Sequence, residues 1–495
     1  MNATLIATIG TRDLMFQTRS GNWYNIGDDQ MRGDIIGEQA EVLADLGQDL
    51  LTYRALTQFL VKHLDEYRSR ICPVITGQLL RDRAQEIDRV YLIGTNQPET
   101  VPERDKDTLY GCQIFQDWFA HQYPHIQVSI VPLGQDGTNP SDFDAMFRWW
   151  QRTWPTLVDE NGTDPIWLCI KGGVGQTSEA GRISGLSRYG DRIQFFEFKQ
   201  RRDKNIQGIP SDYTGPFSGT SYLWDRARQQ ALKLWDRYDY AGIYDILKPY
   251  FQQDTKGFSA LPTQVKAGIA WNQGQFDTFL KLAKGSLPPA AQQQGTQYWW
   301  VAYEQAQLAV VRLQQQNTTE AMLSSFRAIE GLLWLWAQET FPRDVIIQPD
   351  QYPLLKQSIT QRYPQLNSLF DPNSKFPDTV ALQSKALRSL LEAAIPVTAT
   401  SPDFKEFWDT ARTKRNTYSH RLGGLTQQEV FNAWGVDMKQ QAQWEQRLLN
   451  CLNMITDQSF KTLEKASLFC TIHQQVKTTI SHYSPPTPTS TSPSQ

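Results

Sequence analysis

The segment Ala411-Arg-Thr-Lys-Arg-Asn-Thr-Tyr-Ser-His-Arg-Leu-Gly-Gly424 gathers side chains able to act on a phosphodiester. Arg412, Lys414, Arg415, His420 and Arg421 stand in it with no acidic residue among them. An arginine fork can stabilise a pentacoordinate oxyanion, and a histidine can move protons near neutral pH. Together they suit metal-free RNA cleavage, in which the 2′-hydroxyl attacks its own adjacent phosphate. Asn416 is expected to orient the imidazole or the phosphate. The catalytic candidates are Arg415, Asn416 and His420.

Ser401-Pro402-Asp403 supplies an N-cap and first turn, and Gly423-Gly424 a stop, which predicts one helix over Phe404–Arg421 with His420 near its end. Phe404, Trp408, Ala411, Arg415 and Leu422 fall on a single stripe. Arg415 is therefore expected on the apolar side, where a guanidinium is costly unless an anion pairs with it. Asn416 and His420, four apart, share an adjacent face. Arg415 and His420, five apart, differ by about 140° around an ideal helix. Either the helix is distorted near Thr417–Ser419, or two copies meet and each contributes to a composite site in a homodimer. The plainer alternative is a solvated basic helix end near the C-terminal dipole.

A second group of residues suits an anion. Three strand-like segments end in small residues, hydroxyls and amides: Gly10-Thr11-Arg12-Asp13, Gly94-Thr95-Asn96-Gln97, and Lys171-Gly172-Gly173-Val174-Gly175-Gln176-Thr177-Ser178, the last entering a helix. Glycines and amides at a helix N-terminus favour a phosphodiester. The third loop approaches the Lys-Gly-Gly-x-Gly-Lys-Thr form of a phosphate-binding loop. Gln176 stands where the lysine would neutralise terminal phosphates, so ATP hydrolysis is not expected. With one glycine, the first loop falls short of a dinucleotide fingerprint. Tight strand-to-helix turns would also use such glycines, but three of these loops at one end of a sheet favour a ligand.

Strand candidates Ala3–Ile9, Arg89–Gly94, Gln127–Leu133, Pro165–Ile170 and Ile193–Phe198 are mostly continuous apolar runs, the pattern of strands buried on both faces of a parallel sheet. Amphipathic stretches Thr108–His121, Ser141–Trp150 and Ser178–Leu186 alternate with them. The fold class expected is α/β plus all-α: an open, doubly wound, Rossmann-like parallel sheet, then a helical half. Leu14–Arg19 and Asn22–Ile26 flank Ser20-Gly21 as a small hairpin. From Arg201 to Ser221, clustered Gly, Pro and Ser mark a connector. Beyond it, Leu223–Asp236, Tyr240–Phe251, Tyr298–Gln314, Ala321–Glu339, Ala381–Ala394, Phe404–Arg421 and Trp444–Leu463 carry helical spacing. The tail from Ser484 to Gln495, made of Ser, Pro, Thr and Gln, is expected to be disordered.

With 495 residues, 40% hydrophobic and 20% charged, the chain is too apolar for general disorder and long enough for about three domains. A formal charge of −3 excludes binding nucleic acid by global basicity and leaves a local patch. No apolar run approaches the ~18 residues that cross a bilayer. Met1 to Asp13 lacks the basic start of a secretion leader. The five cysteines are scattered without a Cys-x-x-Cys pair, which suits reduced thiols in the cytoplasm and argues against structural zinc.

A Rossmann-like domain with Gly10-Thr11-Arg12-Asp13 after its first strand, followed by a helical half with Arg415-Asn416-x3-His420, resembles the CARF–HEPN ribonucleases of type III CRISPR systems, the Csm/Csx group. The resemblance covers most of the chain, roughly residues 1–463. It implies a CARF sensor over residues 1–205, a linker and helical connector over 206–300, a HEPN ribonuclease over 301–480 and a tail over 481–495. It further implies a cytoplasmic homodimer, without membrane contact or metal, that binds a cyclic oligoadenylate (tetra- or hexa-adenylate) and in response cleaves single-stranded RNA. Carried over, Gly10, Thr11, Arg12, Asp13, Thr95, Asn96 and Lys171, Gly172, Gly173, Val174, Gly175, Gln176 and Thr177 form the messenger site. Arg415, Asn416 and His420 form the HEPN motif, and Ala321–Glu339, with Arg327 and Glu330, is the helix that backs it. The third loop departs from a shorter Gly-Thr-Pro-like turn, and Gln17–Glu86 exceeds a minimal crossover. Both leave the ring size open. Rival expectations are a CARF-type regulator without catalysis, or a helical scaffold carrying a nucleotide fold.

Overall fold

The structure, a computed structural model, describes residues 2–27, 36–50, 52–199, 201–348, 351–373 and 376–484. The chain divides into two compact units, Met1–Asp225 and Arg226–Ser484. The expected disordered tail lies, from Pro485 on, outside the described residues.

The first unit is built on nine strands: β1 (Ala3–Thr8), β2 (Leu14–Gln17), β3 (Trp23–Asn25), β4 (Ile71–Pro73), β5 (Ile87–Thr95), β6 (Gln127–Leu133), β7 (Ile166–Cys169), β8 (Ile193–Lys199) and β9 (Asp212–Ser218). Its main sheet has the order β6-β5-β1-β7-β8-β9. All pairs are parallel except β8 with β9. The apolar run of β1 serves two cores at once. Ala3, Leu5, Ala7 and Ile9 face the layer that holds the Tyr53–Lys62 and Leu109–Gln122 helices, while Ile6 faces the layer of Phe143–Leu157 and Gly175–Tyr189. Successive residues point to opposite faces, so a strand buried on both sides reads as continuously apolar.

The chain adds β5 and β6 on one side of β1, then crosses to add β7 and β8 on the other. The reversal falls between β1 and β7, where an open α/β sheet offers a crevice beyond its strand ends. Two glycines inside the Gly175–Tyr189 helix serve packing. A Cβ on Gly181 would lie 2.8 Å from the Trp150 ring, and one on Gly185 2.9 Å from that of Trp154. The two indoles donate to Thr177 O and Ser184 Oγ, both at 2.9 Å.

The hairpin forms as β2 and β3, with Gly21 in its turn at φ +89°. The three-residue β4 joins it antiparallel to β2, too short to leave a periodic signal. Part of the expected connector proves ordered: Asp212–Ser218 is β9, paired antiparallel to β8 with Phe195 opposite Phe217. Its Gly215 and Pro216 hide it in the sequence, because proline is confined to sheet edges, where β9 lies.

The second unit is helical, its centre the Thr318–Thr340 helix packed against Trp300–Gln314 and Gln441–Thr456. Gln441–Thr456 ends earlier than its spacing predicts, at Asp457 in the left-handed region (φ 55°). Ser384–Ala394 begins later, because Thr379–Ala381 is a strand. That strand (β12) pairs with β11 (Leu354–Lys356), which pairs with β10 (Val345–Ile346). The helices Leu261–Asn272, Phe276–Ala283 and Leu468–His482 carry no expectation from the sequence. Glu304 is fully buried where Leu468–His482 begins. It accepts from Leu468 N–H at 2.5 Å, Ser467 Oγ at 2.7 Å and Trp271 Nε1 at 2.8 Å. Burial nonetheless pushes its carboxyl up to about 7.

Candidate functional site

In the first unit, the loops after β1 and β7 touch backbone to backbone. A Cβ on Gly10 would sit 2.5 Å from Gly173 N, and one on Gly172 would sit 2.1 Å from Asp13 Oδ2 and 2.5 Å from Thr8 O. Thr8 Oγ1 donates to Gly172 O at 2.5 Å. Asp13 is only 3% exposed; its Oδ2 accepts from Gly10 N–H at 2.6 Å and, among the described residues, its Oδ1 has no partner. Burial raises this carboxyl to about 7, against the pull of the Gly10 hydrogen bond. Asp13 thus anchors the loop from beneath. Thr11 and Arg12 above it are half-buried, and Arg12 O accepts from Asn25 Nδ2 at 3.3 Å.

Thr95 exchanges hydrogen bonds with Thr108: its hydroxyl accepts from Thr108 N–H at 3.0 Å and its N–H donates to Thr108 Oγ1 at 3.1 Å. Asn96 Oδ1 accepts from Arg54 Nη2 at 3.0 Å. In the third loop, Lys171, Gly173, Gly175 and Gln176 are exposed, Val174 is half-buried, and Gly172 and Thr177 are buried. Gly173 has φ +83°, a conformation that resists any side chain. Thr177 Oγ1 donates to Pro140 O at 3.0 Å, so this hydroxyl ties two loops together.

Sequence reasoning missed the residues that fix the β5 loop. Asp107, whose side chain is wholly buried, accepts from Gln97 N–H at 2.5 Å, Gln97 Nε2 at 3.0 Å and Arg54 Nη1 at 3.1 Å. Beside them is a cavity of about 430 Å³ lined by Thr95, Gln97, Asp107, Gly134, Asn139 and Val174. The β6 loop contributes Gly134 and Asn139, which sequence reasoning did not single out. Asp107-Thr108 ahead of an apolar run was a legible helix start; Arg54 left no local signal.

In the second unit, the expected single helix is three pieces. Pro402–Glu406 is α-helical and capped by Ser401 Oγ, Phe407–Ala411 is a π turn, and Arg412–Ser419 returns to α. His420 is the C-cap (φ −101°, ψ 0°). The distortion therefore lies before Arg415 and not near Thr417–Ser419, so the Arg415–His420 divergence remains. Phe404, Phe407, Trp408 and Ala411 are buried, but Leu422 is 98% exposed. The helix ends three residues earlier, which takes Leu422 off the expected stripe.

Arg415 is half-buried, its guanidinium carbon 4.2 Å from the centre of the Phe326 ring. Nη2 lies 3.7 Å from Glu330 Oε2, and Nε is shielded from solvent with no acceptor among the described residues. Glu330 is the anion that an arginine on an apolar side requires. Burial raises its carboxyl, opposed by Arg415 and then Arg412. Phe326 stacks on Phe407 at 5.0 Å, Phe407 on Trp434 at 5.9 Å, and Trp434 Nε1 donates to Ser325 Oγ at 3.0 Å. Asn416 and His420 are exposed, and among the described residues neither side chain has a hydrogen-bond partner. Arg421 is paired with Glu429 at 2.5 Å. Glu429 is pulled down to about 2 by the Thr426 N–H first and by Arg421 second.

Among the described residues, no group of three or more His, Cys, Asp or Glu side chains is placed to hold a metal ion, and no helix is long and apolar enough to cross a membrane. No family model matches the chain, and no curated protein matches it in sequence. Among solved structures, Enterococcus italicus Csm6 bound to cyclic hexa-2′-fluoro-hexa-dAMP is similar, with a TM-score of 0.60 over 97% of this chain and 100% of that one. Identity is 15%, so the likeness is one of fold. The expected fold class, a Rossmann-like parallel-sheet domain followed by a helical one, is borne out.

Proposed function

We propose that this protein is a cyclic-oligoadenylate-activated, metal-independent endoribonuclease of type III CRISPR antiviral defence, acting on single-stranded RNA as a cytoplasmic homodimer. The observation that carries the proposal is the contrast within one short helix. Arg415 is seated on Phe326 beside Glu330, while Asn416 and His420 are exposed and, among the described residues, their side chains have no hydrogen-bond partners. A guanidinium held in place and a free imidazole are what in-line attack by a 2′-hydroxyl needs: the first stabilises charge on the phosphorane, the second transfers the proton.

Residues 412–419 form a regular helix, so Arg415 and His420 diverge by about 140°. This supports a composite site in which two copies each supply part of the machinery, with the homodimer as the active species. The messenger, a cyclic tetra- or hexa-adenylate, would bind at the loops after β1, β5 and β7, where the strand order reverses and backbone amides crowd together. The similar Csm6 structure carries a cyclic hexanucleotide, which supports this ligand class. Messenger and RNA would occupy distinct sites, so their coupling is allosteric in the thermodynamic sense.

The test is incubation of purified protein with labelled single-stranded RNA, with and without cyclic tetra- or hexa-adenylate, in EDTA. Messenger-dependent cleavage is expected, lost in Arg415→Ala and in His420→Ala with messenger binding intact. Full cleavage by both variants, or a strict magnesium requirement, overturns the proposal.

A further inference from the structure

Arg415 rests on two residues of the Thr318–Thr340 helix that are four apart, Phe326 and Glu330, which therefore present to it one face of that helix. The aromatic ring, itself 2% exposed, gives the guanidinium a flat floor. Stacking of this kind fixes the plane of the cation but leaves rotation within the plane open. Glu330, its side chain 16% exposed, lies 3.7 Å from Nη2 and supplies the second constraint.

The contact is loose in an informative way. At 3.7 Å the Nη2–Oε2 approach is an ion pair without hydrogen-bond geometry. Among the described residues, no hydrogen bond ties up the fork, and Nε–H is buried without an acceptor. A sheltered, unmade donor of this kind carries a desolvation cost that the ion pair does not offset. Glu330 does not saturate the arginine; it aims it.

We infer that Glu330, with Phe326 as the floor, is a positioning residue for RNA cleavage: it holds the Arg415 fork in one orientation while leaving hydrogen-bonding capacity for the scissile phosphate. It acts through Arg415 and touches neither proton nor phosphate. The inference rests on the ribonuclease proposal.

The experiment measures messenger-activated RNA cleavage by the full-length protein for wild type, Glu330→Gln, Glu330→Asp, Phe326→Leu and Arg415→Ala, with cyclic tetra- and hexa-adenylate binding and thermal unfolding followed in parallel. Glu330→Gln keeps the size and removes the charge; kcat is expected to fall about tenfold with KM for RNA and messenger affinity unchanged. Glu330→Asp, which keeps the charge, is expected to recover most of that loss, and Phe326→Leu, which also removes the stacking on Phe407, to lower both kcat and the melting temperature. Wild-type kcat in Glu330→Gln, or equal loss in the Gln and Asp variants, overturns the role of Glu330. If Arg415→Ala still cleaves at the full rate, the placement of the site at Arg415 fails, and if the wild type cleaves no RNA with either messenger, the ribonuclease proposal itself fails, whatever the Glu330 variants do.

Discussion

The Arg54 guanidinium and the Asp107 carboxylate meet at 3.1 Å, and together they fix the loop that follows β5. Arg54 holds the Asn96 carboxamide with its other nitrogen, and Asp107 takes both the backbone and side-chain N–H of Gln97. Loop and clamp border the 430 Å³ cavity at the carboxyl end of the sheet. Arg54→Gln is therefore expected to weaken binding of cyclic oligoadenylate about tenfold, the loss of roughly one charge-assisted contact. RNA cleavage at saturating messenger should stay near wild type. Calorimetric titration with cyclic tetra- and hexa-adenylate checks this, and unchanged affinity contradicts it.

Asp13 makes the stability of the first unit sensitive to pH. Its carboxyl is raised to about 7 by burial, so the folded state favours the protonated form. The associated stability is full below the ordinary aspartate range and is lost as pH rises through about 7. Asp13→Asn can keep the Gly10 N–H bond through its carbonyl and does not titrate. Its melting temperature relative to wild type should climb between about pH 4 and about pH 7 and level off above, corresponding to at most about 4 kcal/mol. A constant difference across that range would show that Asp13 is charged in the folded protein.

Two glycines of the third loop should respond in opposite ways. A Cβ on Gly172 would meet Asp13 Oδ2 and Thr8 O, whereas one on Gly175 meets nothing within 4 Å. Gly172→Ala is expected to destabilise the first unit by about 1–3 kcal/mol, the usual penalty of overpacking, and to abolish the messenger response. Gly175→Ala should retain stability, so that any loss of response reports on messenger contact alone. Parallel melting and binding measurements decide between these outcomes.

If Arg415 of one copy works with His420 of the other, inactive variants should complement. Mixing Arg415→Ala with His420→Ala after subunit exchange gives heterodimers with one intact site. Equal mixing then restores about a quarter of wild-type cleavage. No recovery after verified exchange would place both groups of each site on one chain.

The parallel sheet was legible because its strands are apolar on both faces; along β1, Leu5 and Ala7 serve one core and Ile6 between them the other. The loops after β1, β5 and β7 were legible because glycines and hydroxyls follow those runs directly. β9 was not, since its edge position tolerates Gly215 and Pro216, the residues that mark connectors. Arg54 was hidden for another reason: the helix it lies on reaches the β5 loop only through the fold, which no local spacing encodes. In the second unit, the residue types at Arg415, Asn416 and His420 pointed to phosphodiester chemistry. The anion required by Arg415 came from Glu330, 85 positions earlier, on the helix named from resemblance as the one that backs the motif.

The π turn at Phe407–Ala411 has a bearing on how this helix can change. One surplus residue in a helical turn swings everything after it by about 100° about the axis. The azimuth of the arginine is thus set upstream, by backbone winding rather than by its immediate neighbours. Lineages that lost or gained a residue there would have to re-index the entire basic end at once, which favours keeping the length of Phe407–Ala411 fixed even where its side chains drift.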